Sequence, residues 1–221
     1  MHLVLEQLFD LADEQRTLST AQSLVADAWQ SLLASDEAYR DLIGPDELAD
    51  WHGQAEALLD SYFKMENPSR VEPERRESPV EFQIADDLVL RGLVDRIDRD
   101  DEGRLVIVDY KTGKAPSPQY EAKAMFQMRF YALVIWRSTG EMPSQLRLMY
   151  LGDGQVLVDR PDESDLLNTQ RRVLALWDAI KSAHRAGEFR PRPSTLCSWC
   201  NFKPLCPAHD GVMPALPQAA R

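Results

Sequence analysis

The sequence predicts an α/β fold: a mixed central β-sheet flanked by helices, with a helical N-terminal segment and a cysteine-bearing C-terminal tail. Three observations predict it. Apolar residues recur at helical spacing over roughly the first 65 residues. From Pro79 the texture changes to short runs rich in Val, Leu and Ile, separated by Asp/Gly turns. Two long apolar-periodic stretches, 119–138 and 162–187, fall between and after those runs. Helices, three strands, a helix, two strands and a helix, in that order, place helices on the faces of one sheet. The whole of 1–221 reads as a single domain: helical segment 1–66, sheet core 77–160, long helix 162–187 and tail 190–221.

Residues 2–15 and 18–35 carry Leu5, Leu8, Phe9, Leu24, Trp29, Leu32 and Leu33 at helical spacing, with Thr17 and Ser19 as caps near the second start. A third amphipathic helix spans 45–65, with Pro45 in its first turn. "ENPSRVEPERRESP", from Glu66, is charged and aperiodic, and reads as a surface loop. "PVEFQIA" (79–85), "LVLRGLVDRID" (88–98) and "RLVIVDYK" (104–111) are strands, the last two a hairpin about "DRDDEG". "VIV" lacks alternation, as a strand covered on both faces does. "QLRLMYLG" and "QVLVDR" form a second hairpin about Gly152-Asp153-Gly154. The long helix begins after Pro161 and stops at Gly187.

The chain has 221 residues and 44% hydrophobic content, enough for one sizeable core. No apolar run approaches the ~18–20 residues that span a bilayer, and the acidic start lacks the basic region of a signal peptide. A soluble, cytoplasmic protein without a membrane partner is expected. The net charge of -11 argues at first against a nucleic-acid partner. Its distribution softens that. Residues 1–66 hold 14 Asp/Glu against 3 Lys/Arg, whereas the remaining 155 hold 22 of each sign.

Asp109 and Lys111 stand at the end of a strand that should be deeply buried. Residues two apart on a strand share a face. If the hairpin turns near Asp101, Asp95 on the neighbouring strand comes close to Asp109. Two close carboxylates repel unless a cation or proton sits between them. Oxygen ligands with open positions suit Mg²⁺ or Mn²⁺. Such a metal activates water for attack on a phosphodiester, and a lysine beside it positions that water or stabilises developing charge. The plain alternative is a solvated strand end.

The surrounding motifs decide between them. "GLVDRID" (92–98), "VDYKTG" (108–113), "QMRFY" (127–131), "HLVLE" (2–6) and the C-terminal cysteines all stand in one order. Together they resemble the PD-(D/E)xK nuclease superfamily, and within it the RecB-like nucleases of iron–sulfur type. The resemblance implies a restriction-endonuclease-like fold and a metal-dependent DNA nuclease, an exonuclease of DNA repair or recombination. It implies His2, Asp95, Asp109 and the Tyr110 carbonyl as ligands of Mg²⁺ or Mn²⁺, with Lys111 as the catalytic lysine. Gln127 and Tyr131, one helical turn apart, would support that site or touch the nucleic acid. Asp98, on the opposite strand face from Asp95, reads as a salt-bridge partner. Glu81 is a weaker site candidate, and His52 and His184 read as ordinary helix-surface residues. No G-x-x-x-x-G-K-[ST] loop is present, so a helicase or translocase would come in trans.

Cys197, Cys200 and Cys206 form C-x2-C-x5-C, too few and too clustered for a secreted disulfide framework. The resemblance implies three ligands of a four-iron–four-sulfur cluster that staples the tail to the N-terminal region. The fourth cysteine would come from a segment ahead of the histidine helix, so the expectation is that this chain is an N-terminally shortened version. With His209 the same cysteines give a Cys₃His zinc pattern. Free thiols are the third possibility. A module that binds nucleic acid or docks a partner without turnover is the rival to the enzyme.

Overall fold

A computed structural model describes residues 1–44 and 46–214. The chain divides into two compact units, Met1–Gln170 and Arg171–Arg221. The first is built on a five-stranded sheet in the order β1 (Arg75–Ala85), β2 (Leu88–Arg99), β3 (Leu105–Lys111), β4 (Gln145–Tyr150), β5 (Gln155–Asp159). Neighbours are antiparallel except β3 and β4, which run parallel. A parallel pair needs a crossover of a dozen or more residues. Here the crossover is a helix of 22 residues, α4 (Pro118–Thr139). The expected mixed sheet flanked by helices is the architecture observed.

Helices α1 (His2–Leu8), α2 (Leu18–Ser35) and α3 (Leu48–Met65) cover one face. Their Leu5, Leu8, Val25 and Leu59 share a core with Val106, Val108 and Tyr110 of β3 and Met149 of β4. The alternate residues of β3 turn to the other face, where α4 lies and buries Met128, Leu133 and Ile135. Residues 105–110 are therefore all buried without alternation. Each fully buried valine or isoleucine contributes roughly 1.5–3 kcal/mol. α4 starts with Pro118 and ends at Gly140, whose φ of +78° is the left-handed cap that glycine takes at least cost.

Three expectations need correction. The helix expected over 2–15 ends at Leu8, followed by a 3₁₀ turn, Asp13–Gln15. The buried Arg16 guanidinium donates to the Phe9 and Leu11 carbonyls, which a continuing helix would have used itself. The loop expected to run to Pro79 gives way to strand at Arg75. Arg76 hides there in plain polar sequence, opposite Arg96, and donates to the Glu6 carbonyl at 2.6 Å and to Asp10 at 2.7 Å. α3 begins at Leu48 rather than 45, and the role expected of Pro45 lies outside the described residues.

The second unit holds the C-terminal part of α5 (Glu163–Ala186) and the tail, which is wound into short 3₁₀ turns at Thr195–Trp199, Lys203–Leu205 and Pro207–His209. Among the described residues no helix is long and apolar enough to cross a membrane.

Candidate active site

The site forms where β3 leaves the sheet. Asp109 and Lys111 share the face toward α4, as their spacing requires. Lys111 Nζ lies 2.6 Å from Asp109 Oδ2 and donates to Gln127 Oε1 at 3.2 Å. Gln127 Nε2 donates to the Tyr131 hydroxyl at 2.8 Å and reaches Asp109 Oδ1 at 3.5 Å. One turn of α4 thus clamps the lysine and the acid. The Tyr131 ring stands against Gly92 of β2, where an added Cβ would come within 2.6 Å of Tyr131 Cε1. Only glycine leaves room for the ring. Gly92→Ala should push Tyr131 and Gln127 off Lys111, cost about 1–3 kcal/mol in overpacking, and lower any turnover of the site more than its melting temperature suggests. A melt and an activity assay on the same preparation would check this.

Asp95 arrives from β2. The β2–β3 ladder ends at Arg96↔Val108. Beyond that pair the Asp95 carboxylate takes over and accepts the Tyr110 N–H at 2.8 Å. The side chain is therefore held by the backbone of the strand that carries Asp109. α1 delivers His2: Nε2 lies 3.1 Å from the Tyr110 carbonyl oxygen and Nδ1 3.4 Å from Asp95 Oδ1.

A further acid completes the group. Glu77 lies in β1, and continuing the β1–β2 register places it opposite Asp95. Its Oε1 is 3.9 Å from His2 Nδ1. His2, Glu77 and Asp95 each offer a ligand atom within 4.8 Å of the others, the one such group of His, Cys, Asp and Glu found among the described residues. Glu77 also has φ of +39°, a conformation that costs a side-chain-bearing residue on the order of 1–3 kcal/mol. The surface loop expected over "ERRESP" leaves Glu77 outside the strands. The available signal was its place two residues before "PVEF", in line with Asp95 across a hairpin.

The electrostatics are those of crowded acids. Burial, then the neighbouring Asp95 charge, pushes the Asp109 carboxyl up, against the pull of Lys111. Glu77 is raised by burial and by the same Asp95. The hydrogen bond to Asp95 raises the His2 imidazole despite partial burial. A divalent cation would relieve all three. Two carboxylates, an imidazole and a main-chain carbonyl at one spot are a donor set that fits such an ion.

The other candidates fall elsewhere. Glu81 pairs with Arg91 on the exposed side of the β1–β2 hairpin, away from the site. Asp98 pairs with Arg96 at 3.0 Å. His52 sits beside Trp51 on α3, and His184 is exposed in the last turn of α5. Cys197, Cys200 and Cys206 form no disulfide and are exposed or half-buried. With His209 they do not converge to the reach of a single ion among the described residues.

A mixed sheet with carboxylates and a lysine at the exit of its central buried strand defines a nuclease-type core. The chain belongs to the PD-(D/E)XK nuclease superfamily, whose sequence model matches residues 1–207. No curated protein matches the chain. Among solved structures 23 chains match, and one of them is the crystal structure of SSO0001. It aligns at 17% identity over 85% of this chain and 81% of its own, with a TM-score of 0.43.

Proposed function

We propose that the chain is a Mg²⁺- or Mn²⁺-dependent deoxyribonuclease, a RecB-like exonuclease acting in DNA repair or recombination. What carries the reading is the convergence of His2, Glu77 and Asp95 beside the Asp109–Lys111 pair. His2, Glu77, Asp95, Asp109 and the Tyr110 carbonyl would hold the ion. When bound, such an ion polarises a phosphoryl oxygen and lowers the pKa of its water. Lys111 supplies a fixed positive charge to the phosphate and a donor that orients the attacking water. Gln127 holds Lys111 to the site, and Tyr131 holds Gln127.

The test is incubation of the chain with end-labelled single-stranded and duplex DNA in Mg²⁺ or Mn²⁺. Release of single nucleotides supports an exonuclease; internal fragments point to an endonuclease instead. Wild-type protein that cleaves neither substrate in either metal would count against the reading. Glu77→Gln should raise the Mn²⁺ concentration for half-maximal rate by roughly tenfold or more, with a smaller effect at saturation. An unchanged metal titration would remove Glu77 from the ligand set.

On the resemblance to iron–sulfur nucleases, Cys197, Cys200 and Cys206 would be three ligands of a four-iron–four-sulfur cluster. Iron and acid-labile sulfide analysis of protein purified without oxygen tests this. Zinc in place of iron would support the Cys₃His pattern instead. The nuclease is expected to work with a helicase or translocase supplied in trans, in the cytoplasm.

A further inference from the structure

A groove of about 430 Å³ opens beside the site, lined by Lys114, Pro116, Tyr120, Lys123, Gln127 and Tyr150. We infer that it binds the nucleotide next to the scissile phosphate of a single-stranded nucleic acid: Tyr120 stacks on its base, and Lys114 and Lys123 hold its flanking phosphates. The inference rests on the nuclease reading of the adjoining site for where the scissile phosphate lies.

Four observations carry it. The groove shares Gln127 with the site, and Gln127 already touches Lys111 and Asp109. Its occupant is therefore continuous with whatever Lys111 contacts. The chain has six lysines, and three of them, Lys111, Lys114 and Lys123, stand at this one end of an acidic protein. Among the described residues Lys114 and Lys123 have no acidic partner, whereas the cations of the sheet are nearly all paired. Tyr120 is 57% exposed at the first turn of α4, with no ring contact among the described residues.

The groove is also built rather than left over. Gly152 lies so close to the loop after β3 that a Cβ there would come within 2.7 Å of the Gly113 carbonyl oxygen. Gly152 N–H donates to that oxygen, Leu151 N–H to the Lys111 carbonyl, and Ala115 N–H to Asp153. Three bonds thus hold the lysine-bearing wall against the β4–β5 turn. Glu121 is the one acid in the first turn of α4, and Asp153 is engaged with Ala115 and Gln155. Neither acid lines the groove, whose charged lining residues are Lys114 and Lys123. An exposed aromatic ring between lysines suits a splayed base on a tracked backbone. In a duplex the base is paired and stacked, so the ring has nothing to bind. The occupant is a single strand.

The experiment is fluorescence anisotropy of a labelled oligothymidylate on the full chain in EDTA, which permits binding without turnover. Tyr120→Ala should weaken binding about tenfold, while Tyr120→Phe, which keeps the ring, should bind as wild type. Lys114→Ala with Lys123→Ala should flatten the log–log salt dependence by about 1.4. Binding of a blunt duplex should be indifferent to Tyr120. All these residues are exposed, so circular dichroism melts should match wild type. Tyr120→Ala and the double lysine variant binding oligothymidylate within twofold of wild type, with an unchanged salt slope, would overturn the proposal. So would an equal loss for duplex and single strand, because that pattern has no stacked base in it. Tyr120-dependent binding by a chain that never cleaves DNA would support the groove and sink the nuclease reading, so the two fail separately.

Discussion

Asp109→Asn should give a folded protein that cleaves DNA about a thousandfold more slowly or worse at saturating Mg²⁺. Asparagine keeps the shape of the side chain and removes the charge that a divalent ion and Lys111 both require. Electrostatic groups aimed at a reacting phosphate carry about 10²–10³ in rate each, and a metal ligand carries at least as much. The sign of the stability effect separates this from simple damage. Asp109 is 2% exposed, and burial with the Asp95 charge raises its carboxyl above the ordinary range. A raised carboxyl favours folding while protonated and loses that contribution as pH rises through its folded pKa. At neutral pH the charge is therefore a cost to the fold, only partly offset by Lys111. Asp109→Asn should melt at the same temperature or higher, and Lys111→Ala somewhat lower, because it leaves the acid without its cation. Cleavage rates and melts of the two variants check both signs. An Asp109→Asn protein that melts many degrees lower, or cleaves at the wild-type rate, would show that the acid only terminates a strand.

That pairing of a costly charge with a buried strand is what made the site legible in advance. "VIVDYK" ends an apolar run with an acid and a lysine, and nothing in local propensity asks for them there. The period-2 face rule placed Asp109 and Lys111 together, and the hairpin turn put Asp95 beside them. Gln127 and Tyr131 came with the resemblance to the nuclease superfamily, and their spacing of one helical turn put them on one face. Glu77 did not follow. Its strand begins with Arg75 and Arg76, whose polarity reads as loop although both pair with β2. What anchors this start of the strand is long-range: the Glu6 carbonyl and Asp10, about seventy residues away in sequence, meet Arg76. The early end of α1 had the same origin, a distant guanidinium taking the carbonyls that helical periodicity assumed were free. The groove at Tyr120 was invisible for a different reason. Its walls come from the β3–α4 loop, α4 and β4, and the close approach of Gly152 to Gly113 sets the spacing of loop and sheet. Strand order and helix faces can be read from periodicity. Which polar side chain bridges two distant segments cannot.

Arg96→Leu should destabilise the protein by about 3–5 kcal/mol, a large part of the roughly 5–15 kcal/mol that holds a domain of this size. Arg96 is almost fully buried in β2 on the face opposite Asp95. It donates to both Glu66 oxygens at 2.6 and 2.8 Å, to the Tyr110 hydroxyl at 2.6 Å and to Asp98 at 3.1 Å. The guanidinium also lies over the rings of Phe9 and Tyr110. Leucine fills part of the volume but leaves two nearly buried carboxylates with Arg147, 3.9 Å from Glu66, as the nearest remaining cation. The dependence on pH identifies the cause. Burial alone would raise the Glu66 carboxyl, but the bonds and charge of Arg96, the Tyr62 hydroxyl and Arg147 outweigh it and hold it low. A depressed carboxyl contributes stability above its unfolded pKa and loses it as pH falls through the folded one. In the wild type the contribution of Glu66 should therefore be lost in acid, below the ordinary glutamate value of 4.5. Without Arg96 the same burial raises Glu66, and the sign reverses: the variant gains stability as the carboxyl takes up a proton. The gap between Arg96→Leu and wild type should narrow as pH falls, and adding Glu66→Gln with Asp98→Asn to the variant should recover most of the loss at pH 7. Urea unfolding of the three proteins across pH measures this. A gap that stays constant with pH would assign the loss to packing, and the ion network would then contribute no more than its volume.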